Sequence, residues 1–520
     1  NPLPAVAGRG RPRFDRDLCM EFAIGSLGKM LGPQFAIVDT YAQRVRLPDE
    51  PLMLADRIVE VEGEPGSMTS GRCVTEHDVK PGAWYLDGGR VPVCISVEAG
   101  QADLFLSSYL GIDLQVKGER VYRLLDAKVV FHRDLPVAGD VLRYDIRIDR
   151  FIKQGDTWLF FFRFDGTIEG QPFITMYDGC AGFFSVEQLE TGKGIVPDGR
   201  KPARTPHRET AKFTSLLPHG TATLNERQVD ALRSGALREA FGIDFPVSNL
   251  APSLRLPDGR MRLVDRILEL DTRGGANGLG LVIGEHDVSP DAWYLTCHFK
   301  DDPVMPGTLM YECCLHTLRV LLLRLGWVDD ATDVDLHYAP IEGAASQLKC
   351  RGQVLPSTKK VQYRLEIEQI GYDPEPFVIA TASMFADGKH IVQMDNMSVR
   401  IRGLTKERLD ALFSGVEPTT DVRFTREQIL EYCEGAPSKC FGPTYAPFDN
   451  QRKLARLPRP PYLFMDRVTK TEPKPFVLEP GGWITAEYDV PPDAWYFAAN
   501  RQPVMPFAVL LEAALQPCGF

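Results

Sequence analysis

The chain has no CxxC pair, and its eleven cysteines are an odd number. That pattern argues against a disulfide framework and against a zinc site built from paired thiols. It fits a reduced thiol population and a cytoplasmic protein. Excess positive charge is also missing: the formal net charge is −11 and no concentrated basic face is evident, which excludes a nucleic-acid platform. The richest basic stretch, Arg200 to Arg208, is interspersed with prolines and reads as a solvated linker. Long apolar runs are absent too. The most apolar helical stretch, Leu315 to Leu325, is interrupted by Arg319 and Arg324, so it predicts a core helix and not a membrane span. Nothing at the start reads as a signal peptide.

What is present is repetition. At 520 residues the length predicts three or four domains. The sequences DVKPGAWY (Asp78–Tyr85), DVSPDAWY (Asp287–Tyr294) and DVPPDAWY (Asp489–Tyr496) recur at offsets of 209 and 202 residues. Each follows a Leu-Pro step (Leu47-Pro48, Leu256-Pro257, Leu457-Pro458) and then an Asp-Arg pair (Asp56-Arg57, Asp265-Arg266, Asp466-Arg467). Three matching blocks in the same order define three copies of one unit. The boundaries expected are residues 1–215, 216–410 and 411–520, with a Pro- and Gly-rich linker over Glu190 to Pro218. The third unit contains only the front half of the pattern. The chain stops at Phe520 within an apolar helical stretch, as expected of a piece of a longer polypeptide.

Within a unit, a short helix, a strand pair and a long apolar helix precede a set of β-type runs. In unit one these runs are Ala127–His132, Val141–Ile152, Trp158–Ile168 and Pro172–Phe184. In unit two they are Ser346–Leu355, Val361–Gln369, Phe377–Ala386 and His390–Ile401. One long helix with antiparallel strands predicts an α+β fold in which the sheet wraps the helix. Trp84, Trp293 and Trp495 read as core, and the EHD/EYD segments as strand ends.

The repeat acts as an internal control on one segment, CHFKDDPVMPGTLMYE (Cys297–Glu312). His298 lies five residues after Trp293; the corresponding positions are Gly89 in unit one and Asn500 in unit three. A histidine demanded by the scaffold would recur in all three. Counting from the Pro-Val proline aligns Glu312 and Glu512 with Gln101, whereas a gapped alignment aligns them with Glu98; both remain open. Pro306 suits a helix first turn, and Gly307 admits close approach of a ligand to unpaired, partly positive amides that can stabilise an enolate oxygen. A metal held by Glu312, His316 and His298, or a Cys297 nucleophile, is a weaker reading of the same residues.

HFKDDPVMPGTLMYE resembles the active segment of the bacterial 3-hydroxydecanoyl-ACP dehydratase/isomerase family. The tandem units, with PYLFMDRV (Pro461–Val468) and VMPFAVLLEAALQPCG (Val504–Gly519), look like the dehydratase region of polyunsaturated fatty acid synthases. The resemblance implies hotdog folds paired as a double hotdog, plus a partial third unit. It implies dehydration of 3-hydroxyacyl-ACP to enoyl-ACP without a dissociable cofactor, with isomerisation of the product as a related reaction. Partners would be an acyl carrier protein and other domains of a multidomain synthase. Carried over residue by residue, His298 is the histidine and Glu312 the acid of its own motif. Gly307 holds the thioester carbonyl, with Pro306, Phe299 and Gln101 around the substrate. The family joins the histidine of one hotdog to the acid of its partner. Since unit one lacks a histidine, the pair would hold one complete site, with Glu98 or a neighbour as its acid and Glu312 facing an incomplete one. Glu512 would await a histidine from a further unit. A hotdog thioesterase and a non-catalytic acyl-holding module are the competing functions.

Overall fold

The computed structural model describes residues 12–196, 210, 213–243, 245–332, 334–413, 423–450, 453–471, 480, 482–491, 494–502 and 504–520. Arg200–Arg208 and much of the expected linker lie outside them. Contacts divide the chain into two compact bodies, Asn1–Ser414 and Gly415–Phe520. The first holds units one and two together. The expected start of unit three, residue 411, falls inside a helix (Lys406–Leu412) that belongs to the first body.

Alternating apolar residues make the long strands. Unit one contributes β1 (Arg57–Glu62), β2 (Gly71–Asp78), β3 (Val121–Phe131), β4 (Val141–Gln154), β5 (Thr157–Ile168) and β6 (Gln171–Phe184). Unit two contributes β7 (Thr221–Leu224), β8 (Arg266–Asp271), β9 (Leu281–Asp287), β10 (His337–Ala339), β11 (Ala345–Cys350), β12 (Lys360–Gly371), β13 (Phe377–Ala386) and β14 (Lys389–Arg402). In β13 burial alternates strictly, the period-2 signature of a sheet with one face on a core. The order β1-β2-β4-β5-β6-β3-β11-β14-β13-β12-β9-β8-β7 is antiparallel throughout, with β10 beside β14. Unit two repeats the strand order of unit one in reverse about the β3–β11 seam, where Ala345 pairs with Val130 and Lys349 with Asp126. Two hotdog sheets are thus fused edge to edge.

Each sheet wraps its own helix. In unit two the helix Gly307–Arg324 is continuous and almost wholly buried. In unit one the expected single helix is three pieces: Val93–Glu98, Asp103–Tyr109 and Ile112–Val116. The first break brings the backbone against the sheet, since a Cβ on Gly100 would lie 2.7 Å from the Phe164 ring. The second falls at Gly111, whose φ of 102° is a left-handed geometry that glycine adopts readily.

The tryptophans are not the core anchors the repeat suggested. Trp84 and Trp293 are half-buried and meet edge-on with centroids 4.9 Å apart, while Trp495 is exposed. The neighbouring Tyr85, Tyr294 and Tyr496 are the buried members. The EHD histidine is also more than a strand end: His77 bridges Asp56 (2.9 Å) and the Tyr85 hydroxyl (2.8 Å). His286 lies 2.9 Å from Asp265 in unit two, and Tyr488 meets Tyr496 in unit three.

The second body holds the hairpin β15 (Arg467–Thr471) and β16 (Ile484–Glu487) and a helix, Phe507–Gly519. Its helix buries Val509 and Gln516 and exposes Phe507, Leu510 and Leu515. All eleven cysteines are free thiols. Among the described residues no helix is long and apolar enough to cross a membrane.

Candidate active site

The long helix of unit two and the first helical piece of unit one start side by side, each after a proline. Pro306 precedes Gly307, and Pro92 precedes Val93. Proline suits this position because the first amides of a helix have no intrahelical acceptor. Six residues beyond each of these prolines stands a glutamate: Glu312 and Glu98. Pro506 and Glu512 repeat the spacing in unit three. The helix starts therefore align Glu98, not Gln101, with Glu312. Counting from the Pro-Val proline misplaces the acid because the turn ahead of the helix differs in length between copies.

The two glutamates have different surroundings. Glu98 reaches across to unit two, where the Thr308 hydroxyl donates to its Oε2 at 2.5 Å. Its Oε1 lies 3.8 Å from Nε2 of His298. Both side chains line one cleft of about 580 Å³ together with Gln101, Phe299 and Gly307. Burial raises the Glu98 pKa to about 7, and the Thr308 hydrogen bond only partly opposes it. His298 is pulled down to about 4, chiefly by burial, against the opposing pull of the Val304 carbonyl and Asp302. Its Nδ1 lies 2.8 Å from the Val304 carbonyl, which accepts only from a protonated nitrogen; a neutral ring then presents the Nε2 lone pair to the cleft.

Of the remaining residues expected around a substrate, Phe299, Gly307 and Gln101 line this cleft, whereas Pro306 caps the helix and is not among the lining residues. The Phe299 ring packs on His298, with centroids 3.8 Å apart. A Cβ on Gly307 would meet only Leu124, at 3.7 Å, so a side chain there would fill the cleft. Gln101 is buried, and its amide points at the Met176 sulfur, 3.7 Å away. Gln101, Leu124, Gly307 and Thr308 also line a second, apolar cavity of about 600 Å³ with Val97, Phe131 and Leu348 among its walls. The two spaces are contiguous and run along the interface between units.

Glu312 is not brought to His298. It accepts from the Cys94 amide at 3.0 Å and lies 3.3 Å from His316 Nε2 and 3.9 Å from Arg319. Burial pushes its pKa up, but His316, Arg319 and the Cys94 amide outweigh that and hold the carboxyl below its ordinary value. In place of a histidine loop, unit one has a tight turn, Asp87–Arg90, with Gly88 and Gly89 in left-handed geometry. Arg319 donates to Asp87 at 2.5 Å and closes the cluster. Cys297, the weaker nucleophile candidate, has its thiol pushed up to about 12 by burial, far from a thiolate. Among the described residues no three His, Cys, Asp or Glu side chains group as metal ligands.

Thr308, Tyr122 and Arg123, all at the cleft, did not stand out in the sequence. Only Thr308 had a signal, its place one residue past the glycine that opens the helix.

Residues 256–395 and 457–520 match the FabA-like domain family. Over 379 residues the chain is 36% identical to a polyunsaturated fatty acid synthase subunit of Thraustochytrium sp., covering 71% of this chain and 25% of that protein. The chain thus spans about a quarter of the length of that relative. Among solved structures, the dehydratase domain from the CurJ module of curacin polyketide synthase is 10% identical. That alignment covers 68% of this chain and 97% of that one, at a TM-score of 0.33. A protein described as an oleoyl thioesterase from Lactobacillus plantarum is also 10% identical, with 66% and 100% covered and a TM-score of 0.31. The hotdog assignment follows from the strand order and the wrapped helices, not from these distant likenesses. Parts of units two and three are thus similar to the FabA-like domain family, the first body is a double hotdog, and the chain is similar to part of a polyunsaturated fatty acid synthase.

Proposed function

We propose that the first body dehydrates a 3-hydroxyacyl thioester, carried by an acyl carrier protein, to the enoyl thioester. The reading rests on one observation: an imidazole and a carboxyl from different units face each other at 3.8 Å across one cleft, each anchored on its far side. Nε2 of His298 removes the proton next to the thioester carbonyl. The carbonyl oxygen, as negative charge develops on it, is met by the Gly307 amide at the helix start. Glu98 gives its proton to the 3-hydroxyl, which leaves as water while the double bond forms between carbons 2 and 3. The imidazolium then returns a proton to the carboxylate through water, which resets the pair. This sequence asks for no dissociable cofactor. The apolar cavity beyond Gly307 takes the acyl chain. Isomerisation would reuse the same imidazole and is read from product geometry in the same assay. A place among the domains of a fatty acid synthase follows from the likeness to the Thraustochytrium protein.

The test is His298→Ala with a 3-hydroxyacyl-carrier substrate, monitored by enoyl absorbance. Loss of an acid–base group costs about 10²–10⁴ in rate, so turnover should fall at least about 100-fold in a folded protein. Turnover near that of the parent, or release of free thiol instead of enoyl product, rejects the assignment.

A further inference from the structure

His298 and Glu98 belong to different hotdog units, so their spacing depends on something that ties the histidine loop to unit one. Asn500 identifies the relevant segment. Its side-chain amide donates to the Val504 carbonyl at 3.5 Å, as His298 Nδ1 does to Val304. Four residues separate that pair in unit three and six in unit two, so the histidine loop carries two extra residues. Asp301 and Asp302 lie in this longer loop, and both carboxylates cross to unit one. Asp301 accepts from Arg46 Nε at 2.5 Å, while Arg46 also donates to the Ala23 carbonyl at 2.9 Å. Asp302 accepts both terminal nitrogens of Arg123, at 2.5 and 2.9 Å. Arg123 in turn donates to Gln353 at 2.7 Å and to the Tyr122 carbonyl at 2.6 Å. Both ion pairs are largely shielded from solvent, and Arg46 is 3% exposed. A forked guanidinium on a carboxylate fixes direction as well as distance.

We infer that Arg123 and Asp302, supported by Arg46 and Asp301, form a cross-unit clamp that positions the His298 ring against Glu98. These are positioning residues: they act on the reaction through the histidine. The inference rests on the proposed acid–base reading for its kinetic consequence, but not for its geometric one. The charged and titratable groups facing His298 are Glu98 on the unit-one helix, Arg123 and Tyr122 on β3, Asp302 on its own loop and Cys350 on β11. Arg123 and Asp302 act on the imidazole with opposite sign: the cation lowers its pKa and the carboxylate raises it. Losing Arg123 leaves Asp302 unopposed and moves the titration of His298 upward; losing Asp302 moves it downward.

The experiment compares Arg123→Gln, Arg123→Lys and Asp302→Asn in the full chain. The His298 ring titration is followed by NMR with labelled histidine, its signal assigned by loss in His298→Ala; kcat and KM are measured alongside. Arg123→Gln should raise the titration midpoint and Asp302→Asn lower it, each by about one pH unit. Each should cut kcat about 10-fold or more with KM nearly unchanged, because a small misplacement of a reacting group is costly. Arg123→Lys should restore the midpoint but not kcat, since lysine supplies the charge without the fork. Unmoved midpoints with parental kcat, or shifts of the same sign in both variants, overturn the clamp. If His298→Ala leaves dehydration intact, the functional reading fails, while the NMR result still decides the clamp.

Discussion

The paired body carries the same glutamate twice, at the same place on two equivalent helices, and treats the two in opposite ways. Glu98 is buried beside a hydroxyl and an imidazole with no cation against it, so burial raises its pKa to about 7. Glu312 is buried as deeply, but with Arg319 and His316 against it and an amide pointing at it, and its charged form is favoured. Burial alone therefore does not make a general acid. The absence of a neighbouring cation does, and one half of the molecule supplies a cation where the other has a cleft.

The comparison is broken most severely at Glu98. Glu98→Gln keeps the shape and removes the transferable proton, so dehydration should fall at least about 100-fold while the protein stays folded. The pH dependence sharpens the same point. The base must be neutral and the acid protonated, so kcat/KM of the parent should fall below about pH 4 as His298 protonates and above about pH 7 as Glu98 ionises. Stability follows the same groups. The folded Glu98 pKa lies above its unfolded value, so its contribution is present at low pH and lost as pH rises through about 7. Glu98→Gln should remove that loss, seen as a flatter melting temperature between about pH 5 and 8.

At the other end the expected effect shifts from rate to stability. Glu312→Ala leaves His316 buried without its carboxylate and Arg319 with Asp87 alone. Breaking a buried pair in this way costs about 3–5 kcal/mol. Turnover per folded molecule should stay within about twofold, measured beside a urea titration; a 100-fold loss of turnover would return Glu312 to the reaction. The smallest effect is expected at Asn500→Ala, which removes a single side-chain contact to the Val504 carbonyl, about 1 kcal/mol, with no change in dehydration.

That last contact also refines how the sequence is read. In unit three asparagine replaces the histidine and keeps a donor to the following carbonyl. One nitrogen of His298 is therefore structural and the other free for chemistry. The repeat, the strands and the histidine were legible because periodicity and triplication are local patterns. Strand ends came within a residue or two for β4, β5, β6 and β13. Unit one's broken helix was not, because its breaks depend on contacts such as Gly100 against Phe164. Choosing between Glu98 and Gln101 required knowing which proline opens the helix. The Arg123–Asp302 pair, 179 residues apart, carries no local signal at all. Proton affinities were out of reach for the same reason, since they are set by what folds around a group.

The β3–β11 seam has a consequence for the distance between the reacting groups. Each rung along a strand is about 3.3 Å, close to the 3.8 Å that separates imidazole from carboxyl. Sliding the two sheets by one rung would turn every seam side chain to the opposite face and shift one half past the other by nearly the whole working gap. The pairing of Ala345 with Val130 is thus a ruler: backbone hydrogen bonds between residues with no chemistry of their own hold the calibration of the site.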